Sequence, residues 1–275
     1  MPNIVPRNVF ANAVALNSSA SQLASRLGPA LGGLIYAFGA TVVFLTTSAL
    51  FAIAVCCLLL IKARPAATPP EKMTWSYLTA GITYSRSQPI ILGAITLDLF
   101  AVLLGGATAL LPIYAKDIFQ TDAFGLGLLR SATAVGAVAM SLAIVHYNFQ
   151  RQVGLRLFQS VALFGLATIG FGLSTNFWLA FFFLVVLGAA DMVSVFIRSA
   201  LVQILTPDEM RGRVSAVNSM FIGASNELGQ FETGVLAHFT GAVAAVVIGG
   251  VGTLGVTFAG MRVFPELRQR DRLSH

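Results

Sequence analysis

Eight apolar windows, each long enough to cross a bilayer as a helix, recur along this chain between short polar breaks. They constrain the fold more than any other feature. A hydrocarbon core about 30 Å thick takes ~20 helical residues to span. The windows fall at 9–37, 41–63, 89–114, 125–147, 153–174, 177–205, 213–238 and 241–264. The breaks, such as "YAFGAT", "AKDIFQTDAFG", "HYNFQRQVG" and "TPDEMRGR", are rich in turn formers or charge. Composition agrees, because charged residues make up only 10%, against about 25% in soluble domains. So little charge cannot cover a globule of this size, and lipid must be the solvent for much of the surface. The expected fold class is an all-α, polytopic membrane helix bundle.

One break is long. "KARPAATPPEKMTWSYLTAGITYSRSQP" carries Pro65, Pro69 and Pro70, which forbid a continuous helix. Its second part, Thr74 to Arg86, suits a short interfacial helix with Trp75, Tyr77 and Tyr84 at headgroup level. The expected organisation is therefore two helices over 1–63, a linker over 64–88, a six-helix bundle over 89–264 and a tail over 265–275.

Of the 17 Lys and Arg residues, Lys116 alone stands on one side of the membrane, and Arg26, Arg130 and Arg198 fall within spans. All the others lie on the opposite side, so the positive-inside rule places both termini in the cytoplasm. The net charge of +6 thus reads as topology, not as a nucleic-acid surface. Cys56 and Cys57 are adjacent within an apolar run, which suits neither a metal site nor a disulfide framework. Met1 to Arg7 leads into a long Ala/Ser/Asn-rich segment rather than a cleavable signal peptide.

An ionisable group at bilayer depth costs about 2.5–3.5 kcal/mol on insertion scales. This chain places Arg26, Arg130, Arg198, Asp98, Asp191, Glu227 and Glu232 there. A purely structural bundle avoids that cost with Leu and Ala, so the group argues for a polar interior; for any single member, an ion pair that only fixes packing is the alternative. Asp191 and Arg198 are seven residues apart, hence on one helix face with Ser194 between them, and both point into one cavity. In "NSMFIGASNELGQFETG", one polar stripe runs through Gly223, Glu227, Gln230 and Gly234, and another through Ser225, Gly229 and Glu232. Glu227, near mid-span, is assigned to the central cavity and Glu232 to a structural role.

"SRLGPALGG", residues 25–33, sits inside the first window. Ala20, Ala24, Gly28 and Gly32 repeat every four residues, a smooth ridge on which another backbone can pack. Gly33 follows it. Ser19, Gln22 and Arg26 lie on roughly the opposite face, and Pro29 removes a helical hydrogen bond, so this helix can bend. A cavity-lining, moving helix and a static kink both fit.

"GPALGG" resembles the fifth-helix motif of major facilitator superfamily antiporters, with Ala15 and Ala24 where those carriers have glycine. "RSALVQILTPDEMRGRVSAVNSMFIGASNELGQFETG", residues 198–234, is similar to the tenth-to-eleventh helix region of the subfamily of enterobactin-exporter-like proteins and transmembrane secretion effectors. Its T-P-x-x-x-x-G-R turn includes Arg211, Gly212 and Arg213. The resemblance implies that the eight windows are helices five to twelve of a twelve-helix carrier lacking its first four, either as a truncated chain or with a partner supplying the rest.

It further implies a secondary transporter in a bacterial inner membrane, expelling a small amphipathic molecule such as a drug or siderophore in exchange for protons. Its partners would be the lipid bilayer, the small-molecule substrate and protons, with no nucleic acid and no cofactor. Asp98, Asp191 and Glu227 are the proton-site candidates, because a carboxyl group in a low-dielectric wall alternates readily between charged and neutral forms. Arg26 and Arg198 are the candidate counter-charges. A non-transporting fragment or scaffold is the main alternative. An intramembrane lipid-modifying enzyme is disfavoured: His146 and His238 lie near opposite ends of their spans without a ligand at i+4, and no HExxH or nucleophile elbow is present.

Overall fold

A computed structural model describes residues 24, 28, 31–33, 35–36, 38–60, 75–146 and 152–271. Among them every regular element is helical: α1 (Ala40–Leu60), α2 (Trp75–Ser87), α3 (Pro89–Leu104), α4 (Ala123–His146), α5 (Val153–Leu173), α6 (Phe177–Leu205), α7 (Asp208–Thr240), α8 (Ala242–Val263) and α9 (Pro265–Gln269). Six stretches among the described residues are long and apolar enough to cross a membrane: α1, Pro89–Ile118, Ala123–Ile144, α5, α6 and α8. At 33 residues α7 has the length, but its polar stripes lower its apolar content below that of the six. The window expected at 9–37 lies largely outside the described residues, as do Arg26, Pro29 and the prolines of the linker.

Contacts divide the chain into two compact units, Met1–Lys72 with Thr121–Ser131, and Met73–Gln120 with Ala132–His275. In the first, α1 buries none of its residues, and its Leu, Phe and Val side chains are exposed as a lipid-facing helix requires. Gly33 lies against Gly127, whose Cα is 2.7 Å from where a side chain on Gly33 would begin. Gly28 and Gly32 have open space at that position.

The second unit is a helix bundle with a main apolar cluster and a smaller one of Ile91, Ile95, Val202 and Val214. Ala94, Leu97 and Ala101 of α3, Val153, Leu157, Phe158 and Val161 of α5, and Val193, Ile197 and Leu201 of α6 form the centre of the main cluster. Glycines set the helix spacing: a side chain on Gly165 of α5 would begin 3.1 Å from the Gly250 carbonyl of α8, and one on Gly229 of α7 would begin 2.8 Å from the Leu103 carbonyl. Small residues let backbones approach this closely where no hydrophobic effect drives helices together.

Local chemistry explains the ends. Pro89 opens α3, where a missing N–H costs nothing. Asn176 caps α6, its Oδ1 accepting from the N–H groups of Trp178 and Leu179 at 2.9 and 3.2 Å. The span that begins with α3 breaks at Gly105 and Gly106, then continues as a 3₁₀ turn (Ala107–Leu110), a short α turn containing Pro112, and a π turn (Tyr114–Ile118). It ends four residues beyond the expected 114, because Tyr114 is anchored: its hydroxyl donates to the Gly172 carbonyl at 2.9 Å.

The helix expected at the interface exists as α2, though its inner face meets protein. A side chain on Gly81 would begin 2.8 Å from the Arg213 carbonyl, Ser85 is buried, and the Tyr84 hydroxyl donates to the Leu205 carbonyl at 3.1 Å. The side chains of Trp75 and Tyr77 lie outside the described residues.

Candidate functional site

Within the second unit, α3 and α6 place opposite charges in contact. Arg198 Nη1 lies 2.5 Å from Asp98 Oδ2, and both side chains are almost wholly buried. Each ion alone is expensive at low dielectric, whereas the pair in direct contact offsets much of that cost. The geometry follows from helix periodicity. Ala94, Asp98 and Ala101 descend the inner face of α3, all buried, and Asp191, Ser194 and Arg198 share one face of α6 over two turns.

Asp98, Asp191 and Ser194 line one small pocket together with Ser160 of α5 and the apolar side chains of Ala101, Val102 and Phe164. Its volume is about 10 Å³, near the least that admits a single water molecule. The Ser160 hydroxyl donates to the Leu157 carbonyl at 2.8 Å. Ser194 Oγ and Arg198 Nε are buried polar atoms with no hydrogen-bond partner among the described residues. The arrangement can hold, exchange or redistribute charge in a nearly dry site. No group of three or more His, Cys, Asp or Glu is placed to hold a metal ion among the described residues.

Three sequence candidates, Asp98, Asp191 and Arg198, thus come together. Arg26 lies outside the described residues. Glu227 does not join this pocket: it is exposed on α7, as are Gly223, Gln230 and Gly234 of its stripe. The other stripe turns inward, with Ser225 and Gly229 buried, Gly229 against α3, and Glu232 half-buried beside the Thr233 hydroxyl. Arg211 and Gly212 are exposed and Arg213 half-buried in the first turns of α7, which begins at Asp208, before the Gly-Arg of the motif. Ser160 is a pocket residue that sequence reasoning misses. A serine whose hydroxyl bonds to its own helix leaves no periodic signal in "LRLFQSVALFG".

The family model described as transmembrane secretion effector matches residues 1–274. The chain belongs to that family. Curated relatives of the chain include the enterobactin exporters of Shigella boydii serotype 18 and of Escherichia coli O81. Each is 26% identical to it over 270 residues, covering 98% of this chain and 64% of the relative. The chain therefore spans less than two thirds of the length of these proteins. The helical bundle with its six long apolar helices agrees with a multi-pass membrane member of the major facilitator superfamily. Neither the family description nor the relatives' names are those of an enzyme.

Proposed function

We propose that this chain is the helix-five-to-twelve portion of a secondary transporter that exports a small, siderophore-like amphipathic molecule across a bacterial inner membrane in exchange for protons. The observation that carries the reading is the Asp98–Arg198 ion pair, buried between α3 and α6 beside Asp191. A bundle that needed only to pack would not hold this much charge at helix depth. A carboxyl group in contact with a guanidinium at low dielectric has two stable arrangements, paired and ionised or released and protonated. Exchange between them links proton movement to helix movement. Carriers of this fold rock two halves about a midplane site, and the exposed polar face of α7, with Glu227, is assigned to the wall of that path. The enterobactin exporters among the relatives suggest the substrate class, and the charge asymmetry puts both termini in the cytoplasm.

The test uses the full-length protein in everted membrane vesicles carrying a proton gradient, with a catecholate siderophore as probe. Asp191→Asn and Glu227→Gln are each expected to abolish transport while the protein remains in the membrane at parental abundance. Normal transport by both variants overturns the assignment.

A further inference from the structure

Beyond α8 the chain turns back on itself. Phe264 and Leu267 cover Gly93 of α3, where a side chain would begin 2.8 Å from the Phe264 ring and 3.2 Å from Leu267 Cδ2. Leu267 is fully buried and belongs to the cluster that contains Ala94 and Leu97 of α3, Val153 and Leu157 of α5, and Ile197 and Leu201 of α6. The cluster also contains Ala101 and Val161, which line the pocket with Asp98, so it forms the apolar floor of that pocket.

The same segment closes the start of α5. The first N–H groups of a helix have no partner within it, and here the returning chain supplies three acceptors. Gly154 N–H donates to the Arg270 carbonyl at 2.9 Å, Val153 N–H to the Asp271 carbonyl at 3.3 Å, and Gln152 N–H to Asp271 Oδ1 at 3.2 Å. Only glycine fits at position 154, because any side chain would overlap the Leu267 carbonyl.

We propose that residues 264–271 are a positioning strap for the buried site: by wedging Leu267 under α3 and capping α5, they fix the α3–α5 spacing and keep closed the floor of the pocket beside the Asp98–Arg198 pair. The proposal rests on the reading of that pocket as the working site. The strap lies at the end of the bundle that carries Arg156, Arg262, Arg268 and Arg270, the end assigned above to the cytoplasm. Its release would open the pocket from that side. Leu267 and Asp271 are positioning residues, since neither lines the pocket.

The experiment reads access to the pocket and needs no transport. In membranes, the full chain with Cys56→Ser, Cys57→Ser and a Ser160→Cys probe is labelled with a membrane-impermeant maleimide. Leu267→Ala, and a stop after Val263, are expected to raise the labelling rate at least tenfold, and Leu267→Met to keep it within twofold of the parent. Amide hydrogen exchange over 152–158 should rise in parallel. In a separate protein, Gln152→Cys with Asp271→Cys pins the strap by a disulfide; exchange over 152–158 should be at least threefold slower before reduction than after it. That comparison within one folded protein holds even where the truncation fails to assemble. Labelling within twofold of the parent in both strap variants overturns the proposal, also where exchange at 152–154 rises, because the segment would then be a helix cap alone. Equal exchange before and after reduction overturns it too. Since access is measured and not efflux, the strap can fail while the transport reading stands, and the reverse.

Discussion

Asp98 and Glu227 are both carboxylates in the middle of long helices, and their surroundings are opposite. Asp98 is buried against Arg198, in a pocket shared with Asp191, Ser160 and Ser194 and otherwise lined by small or apolar residues. Glu227 stands on an exposed face of α7 where Gly223 and Gly234 have nothing within 4 Å of where a side chain would begin. The lesson is that charge at helix depth takes two forms. One is a paired group whose removal disturbs the core. The other is an open polar face whose loss leaves packing intact.

Breaking the buried pair from one side should have the largest effect. Arg198→Leu or Asp98→Leu alone leaves an uncompensated buried charge and should cost about 3–5 kcal/mol, read as thermal unfolding in detergent. The double variant should recover most of that loss, and a double variant no better than the singles would show that the pair is not what compensates the charges. Next comes the inward stripe of α7. Gly229→Val drives a side chain into the Val102 and Leu103 carbonyls and should cost about 1–3 kcal/mol by overpacking, in the same assay.

A smaller loss is expected for Tyr84→Phe, which removes one hydroxyl donor to the Leu205 carbonyl and should cost roughly 0.5–1.5 kcal/mol. The smallest stability change belongs to Glu227→Gln, within about 0.5 kcal/mol as for an exposed position. That variant sharpens the contrast when set beside its expected loss of transport, since Asp98 variants should fall in both measurements. A Glu227→Gln protein that unfolds as readily as Asp98→Leu would erase the distinction.

Much of this was legible in advance, for reasons visible in particular residues. Hydrophobic length located α1, α5, α6 and α8 within a few residues, because lipid leaves the sequence little choice of period or polarity. The seven-residue spacing put Asp191, Ser194 and Arg198 on one face of α6; in the structure Asp191 and Ser194 line the pocket, while Arg198 reaches Asp98 without lining it. What could not be read was which helix supplies the partner: Asp98 is a hundred residues from Arg198, and only the packing of α3 on α6 brings them together. The same holds for α2, whose aromatic residues suggested a headgroup position while Gly81 carried the contact with Arg213 and Val217 of α7. Tyr114 hid a third fact, since a tyrosine near a span end looks like a membrane anchor until its acceptor is known.

The close approach of Gly165 to Gly250 has a mechanical consequence. The two backbones touch directly, and Leu254 and Ile169 flank the contact, their carbons 3.2 and 2.6 Å from where a side chain on Gly165 or Gly250 would begin. Side chains keyed on either side of a backbone contact oppose rolling as well as separation, so α5 and α8 are held to move as one rigid piece.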